Sequence, residues 1–252
     1  MCIRDSPKHV HWWETVPPYL QEASPMRTAH MRAPQEMQTR FGQESFVDEV
    51  AYAAGMDPVA FRLKHLKDPR EIEVVKTAAE KIGWQAKSAL PARNRGDKVM
   101  SGRGLALHAG YGSYAAVACE VEVTRDTGRI WIKRLVIAHD CGLMVNPTGV
   151  RAALEGQTMQ GISRALYEEV HFDEKRVTSV DWATYRIANL DDLPGQVEIV
   201  LINRPDKPIG GAGEPAIVCF PAAIANAVHD ATGVRIRRYP LVPERVKAAL
   251  TA

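Results

Sequence analysis

Ala115-Ala116-Val117-Ala118-Cys119-Glu120-Val121-Glu122-Val123-Thr124, then Arg125-Asp126-Thr127-Gly128-Arg129, then Ile130-Trp131-Ile132 and on to Ile137, is the stretch whose reading decides the fold. Val117, Cys119, Val121 and Val123 alternate with smaller or polar neighbours, the period of a strand that buries one face. Asp126-Thr127-Gly128 is turn chemistry between two such runs, so the segment predicts an antiparallel hairpin over 115–137. Leu105 and Leu107 carry the same period back to Gly102.

Upstream the period becomes helical. From Gln43, the residues Phe46, Val47, Val50, Ala51 and Ala54 recur at three- and four-residue spacing, and Gly55 stops the run. Asp57-Pro58 and Asp68-Pro69 each pair an N-cap residue with a proline at the first helical position, which predicts helices to about Leu66 and from Arg70 to Ile82. Downstream, Asn146-Pro147 opens a helix through Leu166, with Val150, Leu154, Met159, Ile162 and Leu166 as its apolar positions. Val170–Phe172 and 197–202 read as short strands, Phe220-Pro221 starts a helix closed by Gly233, and Pro243 starts a last one. Strands and helices without regular β-α-β alternation predict an α+β fold, with mixed sheets and packed helices. The organisation read from this pattern is an irregular lead-in (1–25), a helical segment (26–85), a basic surface connection (86–101) and an α+β domain (102–252).

The chain has 252 residues, 32 Lys+Arg against 30 Asp+Glu and a formal net charge of +2, which gives no electrostatic reason for a nucleic-acid partner. Its 25% charged and 46% hydrophobic residues exclude the disordered and collagen-like classes. The four cysteines (Cys2, Cys119, Cys141, Cys219) lie far apart, which argues against a zinc knuckle, a disulfide scaffold or an iron–sulfur cluster on this chain. Ala216 to Val228 is the longest mostly apolar run; Pro221 and Asn226 interrupt it, and it falls short of the roughly 20 residues of a membrane span. The start, Met1-Cys2-Ile3-Arg4-Asp5-Ser6, lacks the pattern of a signal peptide, so the expectation is a soluble protein, cytoplasmic or periplasmic, that represents a piece of something longer.

Pro208-Ile209-Gly210-Gly211-Ala212-Gly213-Glu214-Pro215 is the sharpest chemical feature. Closely spaced glycines let a backbone approach a bound group or adopt positive φ. A carboxylate held just after them on a proline-stiffened connection suits a general base if it faces a partly dry pocket. The same residues also suit a tight strand-to-helix turn whose glutamate favours the helix N-terminus. Arg32, in Met31-Arg32-Ala33-Pro34, is either a solvated loop arginine or a bidentate clamp for an anionic group. His139-Asp140-Cys141 invites a nucleophile–base reading, yet reads more simply as a strand end. His9 and His11 are two metal-capable side chains in the irregular lead-in.

Several segments together resemble one family: the carboxy-terminal part of the molybdenum-binding large subunit of the xanthine dehydrogenase / aldehyde oxidoreductase family, in the branch with nicotinate dehydrogenase and isoquinoline 1-oxidoreductase. They are Met31-Arg32-Ala33-Pro34; Glu44-Ser45-Phe46-Val47-Asp48-Glu49-Val50-Ala51; Asp57-Pro58 with Arg62; Asp140-Cys141-Gly142 with Asn146-Pro147; Glu155-Gly156; and Gly211-Ala212-Gly213-Glu214-Pro215 continued by 222–227 and 231–233. The resemblance covers about Pro25 to the C-terminus.

It implies hydroxylation of a carbon next to nitrogen or oxygen, with water as oxygen source, at molybdenum carried on a pterin in its cytosine dinucleotide form. Glu214 matches the family's general base. Arg32, Ala33, Gly211, Ala212, Gly213 and Gln157 are the expected cofactor-side residues, and no protein side chain is expected to ligate the metal. Implied partners are a small [2Fe-2S] subunit, a flavin or cytochrome electron acceptor and a small-molecule substrate. Two departures matter. A glutamine two residues before the Glu155 equivalent is here Ala153, which Gln157 or Gln160 would have to replace. The family's glycine-phenylalanine-glycine cofactor segment is absent from these residues, so the chain alone is expected to bind little molybdenum. The competing expectation is a non-catalytic module that keeps this fold and docks the iron–sulfur subunit.

Overall fold

The computed structural model describes residues 31–94 and 96–252. The lead-in 1–25, with Cys2, His9 and His11, lies outside the described residues. Six helices and one mixed four-stranded sheet make up the described fold: α1 (Glu36–Ala53), α2 (Pro58–His65), α3 (Pro69–Ile82), β1 (Val99–Gly110), β2 (Ser113–Thr124), β3 (Ile130–Asp140), α4 (Pro147–Leu166), β4 (Gln196–Leu201), α5 (Phe220–Thr232) and α6 (Pro243–Thr251). The strands run in the order β1-β2-β3-β4, antiparallel for the first two pairings and parallel for β3 with β4. The fold is α+β.

The hairpin over 115–137 is the centre of this sheet, and both its faces are covered. Val117, Cys119, Val121 and Ile137 pack with Leu154 and Ile162 of α4 and Phe220 and Ala223 of α5. Ala116, Ala118 and Val136 point the other way, onto Val74, Val75, Ala78 and Ile82 of α3. The small residues that alternate with valine are therefore the second buried face, where a helix sits close. The apolar run from Ala216 supplies α5, which is buried almost all round. β1 meets α5 so closely that a Cβ on Gly104 would stand 2.1 Å from the Ala223 carbonyl oxygen, so only glycine fits there.

The capping expectations hold. Asp57 accepts from the amides of Val59 and Ala60 at 3.0 and 2.9 Å, Asp68 accepts from that of Arg70 at 2.9 Å, and Gly83 ends α3 in the left-handed region at φ 70°. Three expectations need correction. α1 begins at Glu36, seven residues before Gln43, because its buried face mixes Arg40, Glu44 and Asp48 with Met37 and Phe41 and so hides the hydrophobic period. β1 begins at Val99, so the last residues of the 86–101 connection belong to the sheet. Val170–Phe172 is not a strand; Phe172 makes one isolated bridge with Val177.

The polar face of α1 closes on itself. Fully buried Arg62 donates from Nη1 to Asp48 at 2.6 Å, from Nε to Glu44 at 3.2 Å and from Nη2 to the Leu105 carbonyl at 3.4 Å. Glu44 in turn accepts from the Leu107 amide at 2.9 Å. Three residues of the family-like segments are thus an ionic knot that joins α1, α2 and β1.

Candidate active site

The Gly-rich loop crosses the end of the sheet between β4 and α5, and three elements hold it. Ser113, at the start of β2, donates its hydroxyl to the Gly211 carbonyl at 2.5 Å. Gln157, on α4, donates its amide to the Ala212 carbonyl at 2.8 Å. Arg32, just before α1, donates Nε to the Gly213 carbonyl at 2.5 Å. Consecutive carbonyls are therefore each tied to a different side chain. In a trans peptide the N–H points opposite to the preceding C=O. The only cis bond in the described residues is Tyr239-Pro240. The N–H groups of Ala212, Gly213 and Glu214 consequently face away from these anchors, and none of them bonds a described residue. The Cβ positions of Gly211 and Gly213 meet nothing within 4 Å. These three N–H groups are donors available to hydrogen-bond acceptors of a ligand.

Glu214 is half-buried at the end of this row, and its carboxylate makes no hydrogen bond or ion pair with a described residue. Two groups feel its charge. Burial lowers the Arg32 guanidinium pKa, and the nearby Glu214 charge opposes that shift. Burial raises the Glu36 carboxyl above the usual range; Arg40 opposes the rise and Glu214 adds to it. Beside the loop lies a cavity of about 400 Å³, lined among others by Gln35, Glu36, Arg40 and Tyr111. Glu36 Oε2 and Arg40 Nη1 are buried there with no hydrogen-bond partner among the described residues. Ala33, Gln35 and Tyr111 all have left-handed backbones, at φ 57, 66 and 55°. Non-glycine residues held there cost energy and gather where a site is shaped.

The structure thus brings Arg32, Ala33, Gly211, Ala212, Gly213, Glu214 and Gln157 into one neighbourhood, in different capacities. Ala33 is fully buried against Met37, Ile217 and Val218. Gln157 is fully buried, and both atoms of its amide are engaged by the protein itself. Gln160 accepts from Arg32 Nη1 at 3.4 Å. Ser113, Glu36, Arg40 and Tyr111 are not among the residues that the sequence singles out. The turn Gly110-Tyr111-Gly112 is the available signal for the first and last of them.

His139-Asp140-Cys141 is not brought to this site as a catalytic pair. Burial pushes the Cys141 thiol up, the wrong direction for a nucleophile. His139 is fully buried, and desolvation lowers its pKa to about 4. Among the described residues no group of three or more His, Cys, Asp or Glu side chains is placed to hold a metal ion. The unbonded N–H groups of Ala212, Gly213 and Glu214 and the neighbouring Arg32 are hydrogen-bond donors available at this site.

Residues 59–194 match the model of the molybdopterin cofactor-binding domain. The chain belongs to that family. The match stops before the Gly-rich loop and begins after Arg32. A nicotinate dehydrogenase subunit of Pseudomonas putida is 42% identical over 94% of this chain and 21% of its own length. An isoquinoline 1-oxidoreductase subunit of Brevundimonas diminuta is 32% identical over 85% of the chain and 26% of its own length. The chain therefore spans about a fifth to a quarter of these curated relatives. The aldehyde oxidoreductase of Desulfovibrio gigas superposes with a TM-score of 0.75 over 88% of this chain and 42% of its own, at 17% identity, which bears on the fold alone. The molybdopterin-binding domain is thus a segment of the xanthine dehydrogenase / aldehyde oxidoreductase family. No helix among the described residues is long and apolar enough to cross a membrane.

Proposed function

We propose that this chain is part of a molybdenum-dependent hydroxylase that oxidises an N-heteroaromatic or aldehyde carbon, with water as the oxygen donor and Glu214 as the general base. The carrying observation is the Glu214 carboxylate: half-buried, unbonded among the described residues, and mounted on a loop in which the three preceding carbonyls, of Gly211, Ala212 and Gly213, are each tethered to a side chain. The relatives named for nicotinate and isoquinoline support the heteroaromatic class, and a further relative named aldehyde oxidoreductase, 35% identical over 55% of this chain, supports the other. In the intact enzyme, [2Fe-2S] clusters on a small partner subunit and a flavin or cytochrome acceptor carry the electrons away.

The bound molybdenum pterin, in its cytosine dinucleotide form, supplies Lewis acidity and a two-electron sink. This chain's residues supply the rest. Arg32 and the N–H groups of Ala212, Gly213 and Glu214 would hold oxygen atoms of the cofactor. The tethered backbone around Ala33 and Gly211 keeps those donors fixed, and fixed donors need no reorganisation during reaction. Glu214 takes up the proton released when water's oxygen is transferred to the substrate carbon. A half-buried carboxylate with no competing partner can receive that proton and release it to solvent afterwards.

Glu214→Gln in the complete enzyme keeps the shape and removes the base. Molybdenum content should match wild type while kcat falls by about 10²–10⁴-fold. Near-normal turnover would remove Glu214 from the mechanism.

A further inference from the structure

The family resemblance places Gln157 at the cofactor, yet its four hydrogen-bonding positions are already spent. One amide hydrogen goes to the Ala153 carbonyl at 3.2 Å and the other to the Ala212 carbonyl at 2.8 Å. Its oxygen accepts from the backbone amides of Ala216 at 3.0 Å and Ile217 at 3.1 Å. A glutamine amide has two donors and one oxygen with two lone pairs, so nothing is left for a ligand.

These bonds have a pattern. Ala212 precedes Glu214 by two residues, and Ala216 and Ile217 follow it by two and three. The 3-10 turn Ile217–Cys219 that leads into α5 has no side-chain cap of its own, and Gln157 satisfies its leading amides from another helix. One buried side chain thus grips both flanks of the catalytic carboxylate. Gly211 and Gly213 would otherwise leave the segment free to take several paths, since glycine restricts its backbone least. Arg32 and Ser113 hold only the side before Glu214.

We propose that Gln157 is the positioning residue of this site: its amide bridges Ala212 to Ala216 and Ile217 and so fixes where the Glu214 carboxylate stands. The proposal rests on the reading of Glu214 as the base. It replaces the cofactor contact expected for Gln157 with an action through the loop.

The test compares Gln157→Met, Gln157→Glu and Glu214→Gln in the complete holoenzyme, with rates expressed per bound molybdenum. Methionine nearly preserves volume and removes every bond to the loop. A displacement of about 1 Å at a reacting group costs about 10² in rate, so kcat should fall by about that factor with KM within about threefold. Glutamate keeps the acceptor for Ala216 and Ile217 but loses the donor to Ala212, so its loss should be intermediate, at about tenfold. A merely structural role would lower the yield of loaded enzyme and leave kcat per molybdenum unchanged. If Gln157→Met does not assemble, the graded loss in Gln157→Glu decides. Wild-type kcat per molybdenum in the Gln157 variants beside a dead Glu214→Gln overturns the positioning role and spares the base. Normal turnover in Glu214→Gln overturns both.

Discussion

Asp140 and Glu214 are both acidic residues close to a glycine in a connection leaving the sheet, and they are opposite in every physical respect. Asp140 is completely buried and saturated. It accepts from Arg70 Nε at 3.0 Å and Nη2 at 2.5 Å, from Arg204 Nε at 3.1 Å and from the Gly142 amide at 2.9 Å. Burial pushes its pKa up, yet the bonds from Arg70, Gly142 and Arg204 together bring it below the usual range. All four lone-pair positions of the carboxylate are used, so it can take no proton from a substrate. Glu214 is half-exposed and bonds nothing among the described residues, while the backbone around it is anchored on three sides. A carboxylate whose own oxygens are tied serves architecture; one whose surroundings are tied and whose oxygens are free serves chemistry.

The comparison breaks most sharply by mutating each side for the other's property. Asp140→Asn leaves Arg70 without its counter-charge, while Arg204 keeps its ion pair with Glu73. Removing one partner of a buried pair costs about 3–5 kcal/mol, and the low end applies because the arginine side chains are 14% and 27% exposed. We expect about 3 kcal/mol lost in urea unfolding of the purified protein, with kcat of the folded enzyme within about threefold of wild type. Glu214→Gln should show the reverse, a stability change within about 0.5 kcal/mol beside a lost kcat. Equal stability losses would erase the distinction.

Acid should act on the architectural side first. Desolvation lowers the His139 pKa to about 4, against 6.5 for the free side chain. The unfolded chain then binds a proton below 6.5 that the folded chain refuses. Stability is fully present above pH 6.5 and falls as pH drops towards 4, by about 2 kcal/mol at pH 5 for this one group. Replacing His139 by leucine should flatten the pH 5–7 slope of the unfolding free energy by about one proton. His229, lowered to about 4 mainly by burial, supplies the slope that remains. An unchanged slope in the leucine variant would show that His139 titrates normally.

How much of this is legible in the sequence follows from the range of the interactions. The hairpin, the Asp-Pro helix starts and the Gly-rich loop with Glu214 are local patterns, and the structure contains each of them. The first half of α1 is hidden because its buried residues include Arg40, Glu44 and Asp48, and the Arg62 that pairs with two of these lies on α2. Gln157 reads as a ligand because its loop partners stand 55 to 60 residues away, and no local pattern announces a side chain that caps another element. Ser113 goes unseen for the same reason, its acceptor lying 98 residues away. Periodicity reports which face is apolar; it is silent on which polar groups meet inside.

The smallest expected effect concerns backbone strain on the two sides. Beside Asp140 the left-handed position is filled by Gly142, at φ 74°, where a Cβ would stand 1.9 Å from the Pro208 carbonyl oxygen. Around Glu214 the left-handed positions belong to Ala33, Gln35 and Tyr111. Gln35 precedes α1, makes no side-chain capping bond and is exposed, so its side chain returns nothing for the unfavourable backbone. A left-handed non-glycine residue costs roughly 1–2 kcal/mol, of which glycine would recover most while losing about 0.5–1 kcal/mol to its freer unfolded chain. Gln35→Gly should therefore stabilise the protein by about 0.5 kcal/mol, read as a shift in the urea midpoint at unchanged slope. Because Gln35 also lines the cavity beside Glu214, the same change should raise KM by a few-fold if the strained backbone shapes that wall. A loss of stability would mean that the φ 66° backbone is where Gln35 belongs energetically, and that the strain assigned to the open side is absent.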